Sequence, residues 1–120
     1  LRRDAIIEFG KLTLEQMRKC LRLYGVRPDN MSNELIESTL FDLVDKQPKK
    51  FFTKWVDNKS KDTEYIIEEA IVKGIVRKER TQYYYGTEMF ADTIEDAVSY
   101  LDSKKNQDLK LSIINEIKNK

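Results

Sequence analysis

Histidine is absent from this 120-residue chain. With it go the commonest general base near neutral pH and the commonest metal ligand. Cysteine occurs once, at Cys20, so neither an internal disulfide nor a cysteine-built zinc cluster can form. A lone thiol suits a reducing compartment. Glycine occurs four times, always singly, and proline twice, which leaves no glycine-rich phosphate loop and no flexible Gly/Ser linker. No apolar run approaches the roughly 18 residues of a membrane span, and Leu1–Lys11 lacks the pattern of a signal peptide. Neither sign of charge dominates, because 22 Lys and Arg face 21 Asp and Glu for a net charge of +1. These absences predict a chain of the cytoplasm, or of a virion if the source is viral, with no cofactor, no membrane partner and no small-molecule substrate. The chain starts at Leu1 instead of methionine, as an excised domain or a processed product does.

What is present is a helical pattern. Thr13 and Gln16 stand at the spacing of a capping box. Leu14, Met17, Leu21 and Tyr24 recur at steps of three and four, and Gly25 supplies a stop. Cys20 sits beside that face as a packed thiol. After a Pro28-Asp29-Asn30 connector, a second helix is predicted over Asn33–Asp45, with Leu35, Ile36, Leu40, Leu43 and Val44 inward. Pro48 opens a short third helix carrying Phe51, Phe52, Trp55 and Val56, and Asn58–Lys61 is a polar break. Asp62 or Thr63 caps a fourth helix that turns Tyr65, Ile66 and Ala70 inward, with Ile67 and Ile71 beside them, and stops at Gly74.

The pattern then changes. Ile75–Lys78 and Gln82–Tyr85 read as strands about a Glu79-Arg80-Thr81 turn, and Met89-Phe90-Ala91 as a third. Thr93 and Asp96 cap a fifth helix with Ile94, Ala97, Val98 and Leu101 inward. Asn106 or Asp108 opens the last one, where Leu109, Ile113 and Ile117 recur every four residues. The expected fold is mainly α with a small β-hairpin: five to six short helices around one core and a two- or three-stranded antiparallel ribbon near residues 75–91. A single domain over 1–120 is expected, with a division into 1–58 and 62–120 as the alternative.

Charge is laid out in stripes. Lys46–Lys61 holds six lysines and one aspartate, a sum of +5, and Lys73–Arg80 holds four cations and Glu79, a sum of +3. Thr87–Asp102 holds five acids and no cation, a sum of −5, and the remaining tail returns to +3. Cations beside aromatic rings suit a phosphate backbone and a base stack. The candidate nucleic-acid contacts are therefore Lys49, Lys50, Lys54, Lys73, Arg77, Lys78, Arg80 and Tyr84. Tyr83 and Tyr85 share one face of a strand and Tyr84 takes the other, so at least one of these rings lies near solvent. The same residues also make an ordinary hairpin, with tyrosines over the helices and cations in water. Phe51, Phe52 and Trp55 suit either a core or an anchor for a partner.

The run Ile66–Lys78 followed by Tyr83-Tyr84-Tyr85 resembles the third helix and wing of winged-helix domains, over about a sixth of the chain. The segment Leu14–Leu40, with Leu14, Met17, Leu21, Tyr24-Gly25-Val26, Ser32, Glu34-Leu35-Ile36-Glu37 and Leu40, resembles a SAP-type helix-extended-loop-helix module. Both resemblances imply DNA binding. The chain departs from them at Glu64, Glu68 and Glu69 on the would-be recognition helix, and at Asn33 and Glu34 where the SAP family carries a basic residue.

Catalysis finds little support. Glu68/Glu69, Glu95/Asp96 and Asp42/Asp45 are paired acids on solvated helix faces without the spacing of a metal loop. The expected function is a non-catalytic interaction or structural module that packs against protein subunits in a homo- or hetero-oligomer, such as an assembly or virion component. The alternatives are a nucleic-acid-binding accessory domain using residues 46–61 and 73–80, and a regulatory domain excised from a larger enzyme.

Overall fold

Residues 1–120 are all described by the computed structural model. The fold is mainly helical with a small antiparallel ribbon, as the pattern predicts. By internal contact the chain divides into two compact units, Leu1–Lys61 and Asp62–Lys120.

In the first unit the helices are α1 (Arg2–Phe9), α2 (Leu14–Leu23), α3 (Asn33–Lys46) and α4 (Pro48–Phe51). The capping box at the start of α2 is complete. Thr13 Oγ1 accepts from the Gln16 amide at 3.1 Å, and Gln16 Oε1 accepts from the Thr13 amide at 2.8 Å. Gly25, at φ +85°, closes the other end: the Val26 amide reaches back to the Leu21 carbonyl and the Gly25 amide to that of Arg22. Ser32 caps α3 by accepting from the Leu35 amide. Met17, Cys20, Leu21, Ile36, Leu40 and Val44 are buried, at roughly 1.5–3 kcal/mol for each large aliphatic side chain. Leu35, predicted to point inward, is instead 49 % exposed. It precedes Ile36 by one step of about 100°, and Ile36, Leu40 and Val44 already fill the stripe.

The predicted third helix is a single α-turn, α4, followed by a five-residue π-turn, Phe52–Val56. The Asp57 amide bonds the Phe52 carbonyl at 2.8 Å, five residues back. Phe51, at the end of α4, and Trp55, in the π-turn, are both buried. Buried Arg22 reaches both carboxylate oxygens of Asp29, at 3.3 and 3.2 Å.

The second unit holds α5 (Lys61–Val72, its first residue lying in the first unit), β1 (Val76–Glu79), β2 (Gln82–Tyr85), β3 (Glu88–Ala91), α6 (Ile94–Asp102), a short 3₁₀ turn (Lys104–Asn106) and α7 (Gln107–Asn119). The sheet order is β1-β2-β3, antiparallel throughout. The hairpin loop is two residues, Arg80-Thr81, one shorter than predicted, because Glu79 pairs with Gln82. Gly74, at φ +75°, ends α5 as Gly25 ends α2, with the Ile75 amide bonded to the Ala70 carbonyl.

The core of this unit joins Ile67 and Ala70 of α5 to Val76, Tyr83 and Ala91 of the sheet, Ala97, Val98 and Leu101 of α6, and Ile113 of α7. Tyr65 and Ile66, predicted to point inward, are half-buried, while Ile67 is fully covered. Thr63 does not cap α5, which starts two residues earlier. It is buried and donates to Asp102 Oδ1 at 2.7 Å, while Lys110 Nζ reaches the same oxygen at 2.8 Å. One hydroxyl, one carboxylate and one ammonium thus tie α5, α6 and α7 together. A second tie joins two helix ends: Lys73 Nζ bonds the Ile117 carbonyl at 3.1 Å, and Lys120 Nζ bonds the Lys73 carbonyl at 3.3 Å.

Candidate interaction surfaces

The pleat sorts the ribbon into two faces. Pairing Val76 with Tyr85, Arg77 with Tyr84, Lys78 with Tyr83 and Glu79 with Gln82 puts Val76, Lys78, Tyr83 and Tyr85 on one side. That side meets the core through Val76 and Tyr83. Burial pushes the Tyr83 phenol above its ordinary value. Tyr85 donates to Glu116 at 2.6 Å, and this bond to a carboxylate raises its phenol too.

Arg77, Glu79, Gln82 and Tyr84 occupy the other, solvent side. The Arg77 guanidinium lies 4.5 Å from the centre of the Tyr84 ring, and its Nε sits 3.1 Å from Glu79 Oε1. Tyr84 donates to Gln82 Oε1 at 3.1 Å, and Gln82 donates onward to Asp92 at 3.3 Å. One face of the Tyr84 ring is therefore covered by a cation from its own sheet. Arg77 has a carboxylate beside it, with both partners more than half exposed. Lys78 Nζ lies 5.6 Å from the Tyr83 ring. Arg80 projects at the hairpin tip with φ +59°, the only residue other than glycine in the left-handed region. Lys73 is half-buried and spends its ammonium on the end of α7.

β1 and β3 are the outer strands, each with β2 as its only strand partner, and β3 also packs against α6. Beyond the buried Val76 of β1, its Arg77, Lys78 and Glu79 are exposed. In an antiparallel pair closed by a two-residue loop, bonded and non-bonded pairs alternate from the loop outward. The amides and carbonyls of Lys78 and Val76 therefore point away from β2. A cleft of about 440 Å³ spans the base of the β1–β2 pair, with Ile71, Ile75 and Val76 as its apolar part and Arg77, Lys78, Tyr84 and Gly86 completing its lining. Beyond β3, a second cleft of about 430 Å³ holds Met89, Phe90 and Tyr100 among Asp92, Asp96 and Lys105. Met89 is 45 % exposed, and the Phe90 and Tyr100 rings lie 5.6 Å apart. This second cleft was missed in the sequence, where Met89 carries no periodic signal. The acidic run Thr87–Asp102 around it was the only available cue.

The remaining candidates, Lys49, Lys50 and Lys54, belong to the first unit. With Lys46 they surround a concavity of about 620 Å³ that also takes in Gln47, Pro48 and Thr53 and has no carboxylate in its lining. Lys50 Nζ lies 5.2 Å from the Tyr24 ring. Elsewhere in this unit, Phe9 and Phe41 meet edge to face at 5.6 Å in an open groove lined by Glu34, Glu37, Ser38 and Asp42. These α3 positions follow the steps of a single helix face, a signal that was available in the sequence but lacked an apolar stripe. No group of three or more Cys, Asp or Glu residues is placed to hold a metal ion, and no helix is long and apolar enough to cross a membrane. No protein-family model, curated protein or solved structure matches the chain.

Proposed function

We propose that the chain is a non-catalytic interaction module, suited to an assembly or virion component, whose docking element is the outer edge of β1. The observation that carries this reading is that edge itself: bonded to β2 alone, with Arg77, Lys78 and Glu79 exposed, and adjoining a cleft that mixes Ile71 and Ile75 with Arg77 and Lys78. An extended segment of a partner adds to such an edge by main-chain hydrogen bonds, while the cleft selects its side chains. Charged side chains on edge strands ordinarily prevent unwanted pairing. Here Arg77, Lys78 and Arg80 repel basic strands and admit acidic ones, which makes the charge a selector.

The test is a selection of short random peptides on the immobilised full chain, counter-selected on Lys78→Pro. Lys78 faces away from β2 with its amide, so proline there removes the docking donor and keeps the hairpin ladder. Enrichment of extended acidic peptides on the wild type alone is expected. Equal recovery on both proteins would sink the reading.

A second reading is favoured by a different observation, the lysine-lined concavity of Lys46, Lys49, Lys50 and Lys54. It suits a polyanion such as single-stranded nucleic acid, with binding that weakens steeply as salt rises. Fluorescence anisotropy with a labelled oligonucleotide tests it. Lys49→Glu with Lys50→Glu abolishes binding on this reading, and unchanged binding excludes it.

A further inference from the structure

The two outer strands of the sheet carry opposite charge. Along β1 stand Arg77, Lys78 and Arg80 against the single carboxylate of Glu79. Along and just beyond β3 stand the carboxylates of Glu88, Asp92 and Asp96, all exposed, with Lys105 as the one cation in the adjoining cleft. We propose that the strand received by β1 is β3 of a second copy of this chain, so that copies join head to tail through one continued sheet. This inference rests on the docking role of the β1 edge given above and names its occupant.

The charge distribution decides between the ways two copies can meet. Pairing β1 with β1 brings together two edges of net positive charge, each with Arg77, Lys78 and Arg80 against Glu79 alone, and pairing β3 with β3 brings together two edges of net negative charge. Like charges directly opposite across strands destabilise the pair. Only the mixed pairing is complementary, and complementary charge also speeds encounter and rejects wrong partners. Strand direction is compatible as well. β1 and β3 are each antiparallel to β2, so they run the same way. A neighbour that keeps its buried sheet face on the same side therefore lays its β3 parallel to β1. Met89 and the Phe90–Tyr100 pair, which line the cleft where β3 meets α6, then come toward the cleft that holds Ile71 and Ile75. Such an interface is heterologous and leaves one β1 and one β3 edge free, so it propagates into a ring or a filament and does not close at a dimer.

Sedimentation velocity of the full chain at low salt tests this. The weight-average mass is expected to rise with concentration past that of a dimer and to fall as salt is added. Lys78→Glu alone and Glu88→Lys alone are each expected to remain monomeric. Mixing the two is expected to restore the larger species, because each altered edge then finds an opposite charge. Circular dichroism and a thermal melt establish that both variants are folded. Lys78→Pro, which is expected to be monomeric too, serves if either charge reversal is not. A wild type that stays monomeric at the highest attainable concentration overturns the inference, as does a mixture that stays monomeric. A monomeric wild type that still selects acidic peptides against Lys78→Pro overturns self-assembly and leaves the docking edge standing. Loss of that peptide selection removes the docking edge itself.

Discussion

At the scale of single residues, two side chains stand in unusual circumstances. Cys20 is fully covered. Burial pushes its thiol up to about 12, only partly opposed by the Lys61 and Lys54 charges. The thiolate is the reactive species, so the native chain is expected to resist thiol reagents at pH 8 and to react fully once unfolded in guanidinium. Rapid labelling of the folded protein would contradict this placement. Because the folded value lies above the unfolded one, Cys20 contributes stability that is complete below the unfolded value of about 9 and fades as pH rises from there toward about 12. Arg80 carries a different burden, a left-handed backbone at φ +59°. A side chain there costs about 1–2 kcal/mol, partly offset by the chain entropy that glycine loses on folding. Arg80→Gly is expected to raise unfolding stability by about 0.5–1 kcal/mol in urea titration, and a lower midpoint would show that the arginine makes compensating contacts.

Elements were legible where a local rule decides them. The capping box at Thr13, the glycine stops at Gly25 and Gly74, and the Thr93 cap, which accepts from the Asp96 amide at 3.1 Å, all follow from side chains within a few residues. Thr13→Ala is expected to cost about 1 kcal/mol. In a cycle with Gln16→Ala the two losses are expected to be less than additive, since the two bonds are reciprocal; simple additivity would mean that they act separately. Legibility ended where packing decides. Nothing in Phe51–Val56 announces a π-turn, because two buried aromatic residues four apart share one face of an ordinary α-helix as well. Thr63 looked like a cap because threonine favours caps. Its partners, Asp102 and Lys110, lie 39 and 47 residues away. The hairpin cations and Tyr84 were visible as a group, but the Arg77–Glu79 pairing and the stacked Tyr84 ring depend on a register that only the folded ribbon fixes.

For the chain as a whole, the missing histidine sets the response to pH. No side chain has an ordinary pKa between roughly 5.5 and 8 in its absence. The melting temperature is therefore expected to hold within about 2 °C across that window, since a shift that small corresponds to only a few tenths of a kcal/mol. A pronounced slope there would reveal a strongly displaced acid or lysine. In acid the outcome differs. Burial raises the Asp102 carboxyl, but the bonds from Lys110 and Thr63 outweigh it and hold the group below its ordinary value. A depressed folded value means that its contribution is present above the unfolded pKa, near 4, and is lost as pH falls through the folded one.

The clasp between α5 and α7 has a practical corollary. Lys120 reaches the carbonyl of Lys73, the residue just before the glycine turn that launches β1. A fluorophore coupled to the Lys120 ammonium would thus be anchored close to the strand edge it is meant to watch. Coupling there also surrenders the bond that steadies that turn, so the label would watch a ribbon it has itself loosened.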